Sequence, residues 1–131
     1  MDSTSEYGVS FERGTMIDYG DRRHVFISGT ASINNKGEVM YIGNIRRQTQ
    51  RMLDNVKALL HEADCDFCDV GVMLVYLRDS SDYQVVKEIF EKQFHGKPYI
   101  ILHAPVCHPA WLIEMECIAV KAIDNDRYET L

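Results

Sequence analysis

The sequence contains no apolar run long enough to cross a bilayer, which excludes a helical membrane protein. It has no internal repeat and no low-complexity tract, which excludes solenoids and biased, unpacked segments. Positive charge is scarce. Fourteen Lys and Arg stand against 20 Asp and Glu, for a net charge of -6. No basic stripe offsets that balance, so a phosphate-driven nucleic-acid binder is not expected. The arginines cluster only at Arg22-Arg23 and at Arg46-Arg47 with Arg51, a pattern that more often makes a solvated face than a phosphate site. The acidic start, Met1-Asp-Ser-Thr-Ser-Glu, carries no secretory signal. The four cysteines, Cys65, Cys68, Cys107 and Cys117, are therefore expected as reduced thiols in the cytoplasm. The five histidines show no His-x-x-x-His spacing, and Cys65-Asp-Phe-Cys68 follows a predicted helix instead of opening one. No metal and no cofactor are expected.

What is present fits one domain, residues 1–131, with ends at 1–6 and 124–131 that look loose. Residues 7–19 are mixed but rich in β-formers, Gly20-Asp-Arg-Arg23 reads as a turn, and residues 24–33 read as a strand, so the first pair is a hairpin. Asn34-Asn-Lys-Gly37 is a second turn, and 39–42 is a short third β segment. Asn44 is a plausible N-cap. After it, Ile45, Thr49, Met52, Leu53, Val56, Leu59 and Leu60 share one helical face, to a helix end near Ala63. Residues 70–77 form a mostly apolar strand. Ser80 or Ser81 opens a second helix, with Ser81 and Gln84 spaced as a capping box. Tyr83, Val86, Ile89, Phe90 and Phe94 line its buried side. Pro98 precedes two last strands joined by a Pro-bearing loop. The order β-β-(β)-α-β-α-β-β predicts an α+β fold: one mixed sheet with two helices on one face, a two-layer domain. The 70–77 run is too continuous for a sheet whose other face meets water, so self-association is expected to cover that face.

The last strand holds the main oddity. Leu112, Glu114, Glu116 and Ile118 fall on one face, and Ile113, Met115, Cys117 and Ala119 on the other. A carboxylate in an apolar strand is costly unless it is exposed, paired or used.

This order and several local motifs resemble the Rid (YjgF-type) family, formerly called L-PSP endoribonuclease. The matching stretches are Val25-Phe-Ile-Ser-Gly-Thr30, Gln48-Thr-Gln-Arg-Met-Leu-Asp-Asn-Val-Lys57, Asp69-Val-Gly-Val-Met-Leu-Val-Tyr-Leu-Arg-Asp79 and Ile113-Glu-Met-Glu-Cys-Ile-Ala119. The resemblance implies a chorismate-mutase-like fold assembled as a homotrimer, with a small-molecule ligand in clefts between subunits. In its best-known branch it implies hydrolysis of enamines and imines, tautomers of 2-iminoacids, to 2-ketoacids and ammonia. That branch carries an arginine just after the Pro that opens the fourth main strand, where it clamps the substrate carboxylate. Here Pro98 is followed by Tyr99, Ile100 and Ile101, so the clamp is missing.

By the same resemblance Glu114 aligns with the acidic residue near the attacking water and is the catalytic candidate. Ser28, Gly29 and Phe11 fall at cleft-lining positions, and backbone groups of residues 103–107 would help hold a substrate. Arg13, in the first strand, is the best replacement for the missing clamp. The loop Ala104-Pro-Val-Cys-His-Pro-Ala-Trp-Leu-Ile-Glu114 is more similar to the corresponding region of chorismatases, with His108 where they have an arginine. Cys107 and His108 are read as cleft-lining rather than nucleophilic, because neighbours on a strand point to opposite faces. Tyr99 and Trp111 flank the loop, where aromatics stack on a planar ligand or pack in a subunit interface; Tyr99 is carried as a ligand contact. The expectation is a small-metabolite-binding homotrimer acting as an enamine or imine deaminase. The alternative is a non-catalytic ligand-sensing or protein-interaction trimer. Ribonuclease activity has only the older family name behind it.

Overall fold

The computed structural model describes residues 8–11, by their backbone, and 13–125. Eight main elements follow one another: β1 (Gly8–Phe11), β2 (Gly14–Asp18), β3 (Arg22–Thr30), α1 (Ile45–Glu62), β4 (Val70–Leu77), α2 (Tyr83–Gln93), β5 (Tyr99–His103) and β6 (Ile113–Ala122). The six strands form one sheet in the order β1-β2-β3-β6-β4-β5. All neighbours are antiparallel except β4 and β5, which run parallel because α2 carries the chain back between them.

Alternation sorts the side chains. Val25 and Ile27 of β3, Met73, Val75 and Leu77 of β4, and Ile113, Met115, Cys117 and Ala119 of β6 turn inward and are almost fully buried. They meet the stripe Met52, Leu53, Val56, Leu59 and Leu60 of α1 and Val86 and Phe90 of α2 in one cluster. The opposite face has no covering layer among the described residues. Phe26, Ile100 and Val120 stand 39%, 51% and 45% exposed there.

Local chemistry explains the boundaries. The Asn44 side chain accepts the Arg47 N–H at 3.0 Å, as the N-cap reading requires. The helix stops at Ala63, and Asp64 lies at φ 58°. Arg23 grips Asp18 through two hydrogen bonds of 2.6 and 2.9 Å and donates a third, of 2.8 Å, to Ala63 O. It is thus no solvated surface arginine: it ties the β2–β3 hairpin to the end of α1, and the paired carboxylate raises its pKa.

Several expectations are corrected. The first β segment splits in two, because Arg13 adopts φ 59° and turns the chain between β1 and β2. The 39–42 segment makes only a bridge, Ile33 to Val39, since Tyr41 at φ 58° and Gly43 at φ 77° bend the chain toward α1. The Ser81–Gln84 capping box does not form. A 3-10 turn, Ser80–Asp82, leads into α2, so the residue before the helix already has helical dihedrals and no side chain caps it. A capping box forms instead at Asp66 and Asp69. Tyr83 is 39% exposed, not buried. The chain is tied back as far as Asn125, whose N–H donates to Gly20 O at 3.0 Å. Positions 1–6 and 126–131, expected to be loose, lie outside the described residues.

Two thiols are buried and two exposed. Burial pushes Cys117 up to about 12, and burial likewise raises Cys65. Iodoacetamide at about pH 8 is expected to alkylate Cys68 and Cys107 and to spare Cys65 and Cys117 until denaturant is added, because only the thiolate reacts. Peptide mapping of the labelled protein checks this.

Candidate functional site

The site grows from an irregularity in the β3–β6 ladder, where the register shifts between Ile27 and Thr30. There the Ser28 N–H donates to Arg13 O at 2.8 Å, and the Ser28 hydroxyl donates to the same oxygen at 2.9 Å. These bonds hold Arg13 in its left-handed conformation. Its guanidinium returns to Gly29, with Nη1 donating to Gly29 O at 2.7 Å.

Gly29 also receives Glu114 from β6. A Cβ at Gly29 would lie 2.9 Å from Glu114 Oε1 and 3.1 Å from its Cδ. Only glycine lets the carboxylate lie on the backbone without displacement. Glu114 Oε2 is buried and has no hydrogen-bond partner among the described residues. No ion pair joins it to Arg13, although both converge on Gly29. A buried carboxylate oxygen left without a donor is expensive, and such groups concentrate where a site must receive something.

The loop between β5 and β6 closes the other side. The Trp111 ring is buried and stacks on His108 with centroids 5.8 Å apart, while the Arg13 Cζ lies 6.0 Å from its centre. The indole N–H is buried and unpartnered. The Ala110 N–H donates to His108 Nδ1 at 3.0 Å, so the neutral ring carries its proton on Nε2. The loop is pinned by Gln48 of α1, fully buried, whose amide donates to Ala110 O at 3.0 Å and accepts the Leu112 N–H at 2.9 Å.

Glu116 lies two residues on, on the same face, yet is differently placed. It accepts the Tyr76 hydroxyl at 2.7 Å. That bond, then burial and the nearby carboxylate charges, raise the Tyr76 pKa and keep the phenol protonated. Glu116 also borders a concavity of about 330 Å³ on the uncovered face, with Thr15, Phe26, Ser28, Leu74 and Ile118.

Of the candidate residues, the structure brings together Arg13, Ser28, Gly29, Glu114 and, through Trp111, His108. Cys107 is exposed in the same loop. Tyr99 is not in this group. It faces the helices, its ring 5.4 Å from Phe90 and its hydroxyl on Glu91, while Ile100 and Leu102 take the outward positions of β5. Phe11 pairs with Gly14 by its backbone; its side chain lies outside the described residues. Gln48 and Tyr76 went unrecognised as supports. The signal for Gln48 was a polar residue on the apolar stripe of α1, four before Met52. Among the described residues, no group of three or more His, Cys, Asp or Glu is arranged to hold a metal, and no helix is long and apolar enough to cross a membrane.

A mixed sheet with two helices on one face, and an acidic last strand beside a glycine of the third, defines a chorismate-mutase-like α+β domain of the YjgF type. The profile described as endoribonuclease L-PSP matches residues 16–121, and the chain belongs to that family, the Rid or YjgF family. A RutC family protein of Pyrococcus abyssi is 33% identical over 99 residues, 74% of this chain and 78% of the relative. The 3-aminoacrylate deaminase RutC of Acinetobacter baylyi is 27% identical over 70 residues, 53% and 56% of the two chains. The YjgF gene product of E. coli, a solved structure, matches with TM-score 0.69 and 26% identity over 86% of this chain and 88% of that one. A chorismatase matches with TM-score 0.75 at 22% identity, over 83% of this chain and 36% of its own. That likeness shows the fold alone.

Replacing Gln48 with Leu leaves Ala110 O and the Leu112 N–H without partners. It is expected to cost about 1–3 kcal/mol for each group that stays dry, read from urea unfolding. Gly29→Ala is expected to push the Glu114 carboxylate aside, at about 1–3 kcal/mol for the overpacking. In the double variant Gly29→Ala, Glu114→Ala most of that loss should return, which a double-mutant cycle measures.

Proposed function

We propose that this protein is a cytoplasmic, small-metabolite-binding homotrimer that hydrolyses reactive enamines and imines derived from amino acids. The observation that carries the reading is Glu114 Oε2, buried and unpartnered beside Gly29 and Arg13. The deaminase activity in the name of the A. baylyi relative supports the reaction class. An enamine that takes a proton on carbon and gives one up from nitrogen becomes the neutral imine. Water then adds to the imine carbon as Glu114 accepts one of its protons. The proton passes to nitrogen, and the tetrahedral adduct expels ammonia and leaves a carbonyl. Arg13 spends one N–H on Gly29 O and keeps the rest of its fork for a substrate carboxylate. The net charge of -6 favours a small metabolite over RNA.

The uncovered sheet face supports the assembly. Its apolar side chains, Phe26, Ile118 and Val120 among them, are what a second and third copy would bury.

A second reading, a ligand-binding trimer without chemistry, is favoured by one feature. The outward positions of β5 are Ile100 and Leu102, and no arginine follows Pro98.

The test uses freshly generated 2-iminopropionate. Wild type is expected to accelerate its hydrolysis, and Glu114→Gln to lose about 10²–10⁴-fold of that rate, as removal of a positioned acid–base group does. Arg13→Ala should raise KM for the carboxylate substrate while leaving the slower turnover of an uncharged imine unaffected. Light scattering should give three times the monomer mass. A trimer that leaves the imine at its background rate abandons the first reading for the second.

A further inference from the structure

Arg13 has a second neighbourhood that the deaminase reading does not use. On the α1 side of the sheet lies a concavity of about 210 Å³ between the β1–β2 turn, the loop after β3 and the outer flank of α1. Arg13, Thr30, Asn34, Arg51, Asn55 and Glu62 border it. Arg51, Asn55 and Glu62 recur at helical spacing, so one side of α1 forms its wall.

The wall is held in place. Asn55 donates to Ala31 O at 2.9 Å and to Ile33 O at 2.8 Å, and Arg51 Nε donates to Ile33 O at 3.2 Å. The Nε bond orients the Arg51 fork and leaves both terminal nitrogens unspent. Arg13 is oriented in the same way, through Nη1 on Gly29 O. Neither guanidinium has an acidic partner within 4 Å among the described residues. Glu62 is the one acid on the rim, so the lining carries two positive charges against one negative, in a protein whose net charge is -6. Oriented, unpaired guanidiniums around a small concavity match the fork geometry of an oxyanion.

We propose that this concavity is a second ligand site, which takes a small oxyanion, a phosphate or carboxylate group, between Arg13 and Arg51. It shares Arg13 with the Glu114 group, but its second cation is Arg51 and it does not depend on imine hydrolysis.

Isothermal titration of the full chain at fixed ionic strength tests it, with inorganic phosphate in one arm, malonate in a second and chloride as the control. Saturable binding in the phosphate arm alone assigns a phosphate ligand, and in the malonate arm alone a carboxylate. Arg51→Gln is expected to weaken binding by about tenfold, the worth of one charge-assisted bond, and Arg51→Lys to recover part of it. Glu62→Gln should tighten binding by about twofold. It remains informative if the loss of the Ile33 contact unfolds Arg51→Gln. Glu114→Gln should still bind the anion saturably. The proposal is overturned if neither anion binds saturably, if Arg51→Gln folds and binds with full affinity, if Glu62→Gln leaves affinity unchanged, or if Glu114→Gln abolishes binding.

Discussion

The pairing of β3 with β6 carries both the core and the site. On its inner side the two strands bury Val25, Ile27, Met115, Cys117 and Ala119 beneath α1 and α2. On its outer side the same alternation presents Glu114, Glu116 and Ile118. A slip of one residue would drive both carboxylates into the core and expose the methionine and cysteine. Burial on one face therefore holds the acids in place on the other. The local shift of register between Ile27 and Thr30 then does what a regular ladder would not: it frees the Ser28 N–H for Arg13 and sets Gly29 under Glu114.

The two acids of β6 show how position decides chemistry. Glu116 is opposite Leu74 in register, yet the Tyr76 hydroxyl reaches it diagonally from the neighbouring strand and satisfies it. Glu114 is opposite Tyr76 in register, yet its carboxylate leans the other way, over Gly29. No donor meets Oε2 there. The surrounding frame is hydrogen-bonded by contrast. Gln48 fastens the loop above, and Arg13 fastens the strand below. A carboxylate in such a frame has its geometry set before any ligand arrives.

Much of the fold was legible. The stripe from Ile45 to Leu60 and the Asn44 cap located α1, and the alternation from Leu112 to Ala119 placed Glu114 and Glu116 on the outer face. Both signals are periodic, and a period is a local property of the chain. Misreadings fell where a single backbone angle decides the path: Arg13, Tyr41 and the entry to α2. None of these is a glycine, and a positive φ at arginine or tyrosine leaves no mark in composition. Tyr99 was misplaced for a related reason. Its strand is five residues long, too short for its pattern to say which face is which.

By itself the sequence determined the two helices and the later strands, the family, and the inward and outward residues of β6. Those follow from hydrophobic period and from motifs in a fixed order. Only the tertiary structure decided that Glu114 and not Glu116 is left without a donor, that Gln48 reaches across 62 residues to hold the loop, and that Arg13 both meets Gly29 and borders the concavity beside α1. These are contacts between segments distant in sequence. They depend on where each side chain ends after the sheet has closed, and no local pattern encodes that.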